Sequence, residues 1–205
     1  IALAHAMEVG MFSAAALLVG LLGVNALAAH QVALQCTTLS FMVPLGISQA
    51  VSVKVGELYG SQNISRVKDA LKAGFALAAV GAVVAVGFFW LVPELLISVF
   101  LPNNGVSSFE YSEVVLVASQ VLFVAALFQL VDGWQVILMG ALRGFKLGLS
   151  PTLASIFSYW LVGIPCAYLF LSYWGAAGVW IGMGLGLTVS AMTLALLLYR
   201  ELKRH

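Results

Sequence analysis

Six runs of about twenty apolar residues, parted by short polar breaks, constrain this chain more than any other feature. The runs cover approximately residues 1–23, 28–58, 67–92, 114–140, 151–174 and 178–199. A bilayer core of about 30 Å takes about 20 apolar residues to cross as a helix, so each run is long enough to span it. The breaks "GVN", "YGSQNIS", "LPNNGVSS", "RGFKLGLSP" and "SYWGAAG" carry the glycine, asparagine, serine and proline that turns require. Of the 205 residues 62% are hydrophobic and 8% charged, whereas a soluble domain has roughly 45–50% apolar and about 25% charged residues. So few charges cannot clothe a water-soluble surface. The expected fold class is all-α, a polytopic membrane protein of six transmembrane helices.

The charges are one-sided. Lys54, Arg66, Lys68 and Lys72 surround the second break, Arg143 and Lys146 lie in the fourth, and Arg200, Lys203 and Arg204 follow the sixth run. The third break has Glu94, Glu110 and Glu113 but no basic residue, and the first and fifth are uncharged. By the positive-inside rule the even breaks and the C-terminus are cytoplasmic. The aromatic clusters Phe88–Trp90 and Ser172–Trp174 fall at outer ends, where they anchor helices in the interface. Pro44 and Pro165 each remove a backbone hydrogen bond inside a run and are expected to kink it. Gly140, Gly144 and Gly148, and then Gly178, Gly182 and Gly186, recur at the four-residue spacing that lets helices pack closely in lipid.

Several functions lack their residues. There is no basic stripe for nucleic acid, no phosphate loop and no G-x-S-x-G turn. An intramembrane aspartyl protease needs two aspartates, and Asp132 is the one available. His5 and His30 have no evident nucleophile beside them, and Cys36 and Cys166 read as free buried thiols. No cofactor is expected. The chain starts at Ile1 inside an apolar run, which gives the expectation of a piece whose beginning is missing.

Two acids lie deep in apolar segments, Glu8 and Asp132. Asp132 stands eleven residues before Arg143, about 16 Å along a helix and near mid-membrane. An aspartate there costs about 2.5–3.5 kcal/mol on insertion scales, which makes it a functional-site residue by default. Gln129 and Gln135 flank it at three-residue spacing, with Phe128 one turn before and Met139 two turns after, a face suited to a cavity. Phe12 lies one turn beyond Glu8. Gln31, Gln35, Thr38 and Met42 share a stripe of the second run, and Ser155, Ser158 and Tyr159 are candidates to line the same cavity. Two carboxylates in such a cavity can exchange a proton under physiological conditions, or hold Na⁺ with neighbouring oxygens. Either ion competes with an organic cation for the same charge, a simple basis for antiport. The alternative is that these polar groups only hold helices together.

The stretches "ALAAHQVALQCTTLSFMVPLGISQAVSVKVGELYG" (Ala26 to Gly60), "FQLVDGWQVILMGALRG" (Phe128 to Gly144), "YWLVGIPCAYLF" (Tyr159 to Phe170) and "GAAGVWIGMGLGL" (Gly175 to Leu187) closely resemble the C-terminal half of the multidrug and toxic compound extrusion (MATE) transporters. The resemblance covers essentially the whole chain. It implies one six-helix lobe of a twelve-helix antiporter of the bacterial inner membrane that exchanges Na⁺ or H⁺ for lipophilic cationic drugs. Its partners would be the bilayer, small lipophilic cations and an absent N-terminal lobe. It also implies that Asp132 and Glu8 bind the coupling ion, whether as Na⁺ ligands or proton carriers. The drug-facing wall would draw on Phe12, Gln35, Phe128, Gln129, Gln135, Met139 and Tyr159. In several sodium-coupled members a tyrosine occupies the position of Phe128, so its hydroxyl is missing as an ion ligand here and H⁺ stays open. The readings set against transport of drugs are a non-transporting membrane scaffold or degraded gene product and a lipid-carrier flippase, although no Lys or Arg lies mid-membrane to suit the flippase.

Overall fold

The computed structural model describes the backbone of residues 2–101 and 108–204 and the side chains of residues 6–101 and 111–204. The side chains of His5 and Glu110, and most of the third break, lie outside the described residues. The described chain is helical, with no strand: α1 (Ala2–Gly20), α2 (Val24–Gly60), α3 (Ile64–Leu91), α4 (Pro93–Phe100), α5 (Ser108–Gly144), α6 (Leu149–Phe157), a π-helical turn (Ser158–Gly163) and α7 (Ile164–Arg204).

Among the described residues four continuous stretches are long and apolar enough to cross a membrane: Val24–Gly60, Ile64–Leu91, Tyr111–Gly144 and Leu149–Arg204. The last has 56 residues, about 84 Å if straight, far beyond one crossing of a core about 30 Å thick. It folds back instead at Trp174 and Gly175, whose backbones are non-helical. Gly175 takes φ +56°, the left-handed region glycine enters at little cost. Two arms result, 149–173 and 176–204, and with α1 the described chain makes six passes. Between α3 and α5 lies the short helix α4, which the run pattern does not anticipate. Pro93 opens it at a first-turn position where the missing N–H costs nothing.

The hairpin arms meet through the glycine row. A Cβ on Gly182 would strike the Ala167 backbone, and one on Gly186 would lie 2.6 Å from the Gly163 Cα. Small residues thus set the distance between these helices. Gly140 does the same between α5 and α2, against the Ser48 backbone, whereas Gly148 stands in open space.

The α2 and α5 helices run parallel and in register. Asn25 donates to Glu113 at 2.8 Å at one end, and the Ser48 hydroxyl donates to the Val136 carbonyl at 2.6 Å further along, both pairs 88 residues apart. The core has two parts. Met11, Ala33, Leu122, Trp180 and Met183 fill one, and Val55, Leu71, Leu142 and Leu194 fill the other, toward the end that carries the basic residues. The outer faces leave Leu17, Val83, Leu91, Leu161 and Tyr168 open, as helices in contact with lipid would.

Candidate functional site

Asp132 sits near the middle of α5 and is 6% exposed. It opens onto a groove of about 300 Å³ whose walls come from α1, α2 and α5. Glu8 and Phe12 of α1, Gln31 and Thr38 of α2, and Phe128 of α5 share this lining with it. Phe12 and Phe128 meet edge to face at 6.1 Å, and behind them Trp180 packs on both rings. The groove is therefore mostly apolar and aromatic, with two carboxylates, Asp132 and Glu8, in its lining. Among the described residues Asp132 makes no hydrogen bond or ion pair. Burial without a partner is costly for a carboxylate and marks a group held for something else.

The second polar centre lies further along α5. The Gln135 amide donates to the Tyr159 hydroxyl at 2.7 Å and approaches Ser190 at 3.3 Å and Ser155 at 3.4 Å. Ser190 in turn donates to Ser155 at 3.0 Å. An amide nitrogen has two hydrogens, so three acceptors share two bonds. Tyr159 reaches this knot from the π-helical turn, in which the Ile164 N–H bonds to the Tyr159 carbonyl five residues back. The cause lies just beyond: Pro165 has no N–H and its ring crowds the carbonyl one turn earlier, a conflict that a widened turn relieves.

The site residues expected from the sequence thus separate into groups. Glu8, Phe12, Phe128 and Asp132 share the groove. Gln135, Met139 and Tyr159 line a different, narrower cavity of about 20 Å³, together with Glu8, Arg143 and Ser155. Gln129 is buried between helices, its amide nitrogen and oxygen without partners among the described residues. Gln35 is exposed and lies outside the groove lining, as does Met42, although Gln31 and Thr38 of the same stripe do line it. Ser158 turns back to the Ala154 carbonyl. Cys36 is buried and Cys166 half-buried, both as free thiols. No cluster of three His, Cys, Asp or Glu side chains occurs among the described residues.

Two features escaped the sequence reading. Trp180 is fully buried and donates from Nε1 to His30 Nδ1 at 3.1 Å, across 150 residues, while His30 Nε2 stays buried without a partner among the described residues. Ser190 completes the knot around Gln135. The only available hint was that each is a polar group within an apolar run.

The family profile described as MatE matches residues 1–169. A probable multidrug resistance protein NorM from Pseudomonas aeruginosa is 39% identical over 194 residues, which are 94% of this chain and 39% of that protein. One of the same description from Rhizobium meliloti is 39% identical over 204 residues, 96% of this chain and 42% of its own length. The chain thus spans about two fifths of these curated relatives. A crystal structure of MATE in complex with MaL6 superposes with a TM-score of 0.87 at 20% identity, over 98% of this chain and 44% of the other. An outward-facing multidrug resistance MATE family transporter of the MOP superfamily gives 0.82 at 21% identity, over 98% and 44%. At such identities the superpositions speak for the fold.

Proposed function

The chain belongs to the MatE family, and from that premise we propose that it is one six-helix lobe of a cation-coupled exporter of lipophilic cations, working against a second lobe in a bacterial plasma membrane. The relatives it resembles are named multidrug resistance proteins, transporters rather than enzymes. A chain that spans two fifths of their length accounts for one lobe of such a protein. The excess of basic residues at one end of the bundle supports a cytoplasmic placement of that end and of the C-terminus.

The observation that carries the reading is Asp132, buried in an apolar helix without a hydrogen bond yet lining a drug-sized groove beside Glu8. Sites for small organic molecules are largely apolar, of about 300–1,000 Å³, with a few placed polar groups. Phe12 and Phe128 give an organic cation ring faces to lie against, and the carboxylates give it a counter-charge. Na⁺ or H⁺ claims the same carboxylates. Occupancy by one then excludes the other, and inward movement of the ion is tied to outward movement of the drug.

Efflux of a fluorescent lipophilic cation tests this in the full-length transporter. Asp132→Asn should abolish efflux at unchanged membrane abundance, and an equal fall in abundance would instead assign Asp132 to packing. In proteoliposomes, drug flux should follow an imposed Na⁺ gradient or pH gradient. Flux driven by neither would refute the antiport reading.

A further inference from the structure

Glu8 stands between two openings. The groove of about 300 Å³ lies on one side, and the narrower cavity of about 20 Å³ lies on the other; among the described residues lining either, Glu8 alone lines both. Along α5 the division is ordered. Phe128 and Asp132 face the groove, and then Gln135, Met139 and Arg143 follow one another along the cavity to the last turn of the helix, at the basic end.

Size and chemistry separate the two spaces. A volume of about 20 Å³ admits one water or a small monovalent ion and excludes an organic cation of drug size. The lining supplies the oxygens such a guest requires, from Glu8, Gln135, Ser155 and Tyr159, with Ser190 tied in behind them. At the basic end lies the half-buried Arg143, whose side chain makes no hydrogen bond or ion pair among the described residues. A fixed guanidinium in a narrow passage bars cations electrostatically, as arginines do in other selective pores.

The geometry points to a separate cytoplasmic exit for the coupling ion, running from Glu8 through the Gln135–Tyr159–Ser155 cavity, with Arg143 as its gate. The drug never enters this passage; it keeps to the groove. Arg143 closes the passage in the conformation described here, and its swing away from the axis opens it, with Gln135 and Tyr159 passing the ion between oxygens. The inference rests on the antiport reading above, and the tests separate the two.

Wild-type transporter in proteoliposomes must first show drug flux driven by a Na⁺ or pH gradient; without it the antiport reading itself fails, and this exit with it. Where coupling holds, Met139→Cys in a Cys36→Ala, Cys166→Ala background is exposed in inside-out vesicles to Ag⁺, a thiol-seeking monovalent cation of about the size of Na⁺. Modification should occur from the cytoplasmic side and run several-fold faster with Arg143→Gln added. In parallel, Tyr159→Phe and Ser190→Ala should slow gradient-driven drug flux several-fold more than they slow drug-for-drug exchange without a gradient. Coupled transport with Met139→Cys inert to cytoplasmic Ag⁺ would overturn the exit. So would driven flux and exchange that fall together, or that both stay at the wild-type rate.

Discussion

The groove around Asp132 and the knot around Gln135 lie two turns apart or less on the same helix, and they treat polar groups in opposite ways. In the knot every polar side chain is answered by another of this chain: Gln135 by Tyr159, Ser155 by Ser190. In the groove Asp132 has no bonded partner among the described residues, although it is as deeply buried. A satisfied buried network rigidifies the helices that share it, whereas an unanswered carboxylate costs stability and is retained for a ligand. Neighbouring turns therefore differ in what their polar groups contribute to stability, and substitutions should separate the two.

The largest effect on stability is expected behind the groove, at Trp180. Trp180→Ala removes the ring that packs on Phe12 and Phe128 and takes the donor from His30, which should cost about 3–5 kcal/mol. Thermal unfolding in detergent reads this directly. A small shift would mean that the groove wall is not anchored there. Gly182→Val comes next, since its side chain must push into the Ala167 backbone. Overpacking of that kind costs about 1–3 kcal/mol and shows as lowered abundance together with a lowered unfolding temperature.

Gln135→Leu sharpens the contrast, because it strands Tyr159 and the serine pair, and a loss of about 1–3 kcal/mol is expected. Asp132→Asn should do the reverse. It removes an unpaired buried charge, so the unfolding temperature stays level or rises while transport is lost. If Asp132→Asn destabilised the protein as much as Gln135→Leu, the division between the two sites would collapse. The smallest effect belongs to Lys54→Ala. Its 2.9 Å pair with Glu57 is exposed on both sides, and such pairs contribute at most about 1 kcal/mol.

Much of this was legible in the residues. Apolar runs are local signals, and they give the helices expected of them, because crossing a bilayer requires a run of fixed length. Asp132 and Glu8 stood out for the same reason, as charges where charge is expensive. The helix α4 was missed because eight residues after a proline merge into the apolar run before them. The π-helical turn was missed because Pro165 signals a kink without saying how the backbone absorbs it. Met139 was placed by helical spacing on the face that holds Phe128, yet it lines the narrower cavity with Tyr159, because spacing along one helix does not reveal which neighbour fills the space beside it.

By itself the sequence determined that the chain is a bundle of apolar helices with buried acid, since the energetics of a lipid solvent act on each segment separately. Only the tertiary structure decided which polar groups answer one another. The pairs that matter join residues 24, 88 or 150 positions apart, and no periodicity within a segment encodes a contact made between segments. The division of one polar face into a wide groove and a narrow cavity arises where four helices converge, and Glu8 became a residue shared by both only through that convergence.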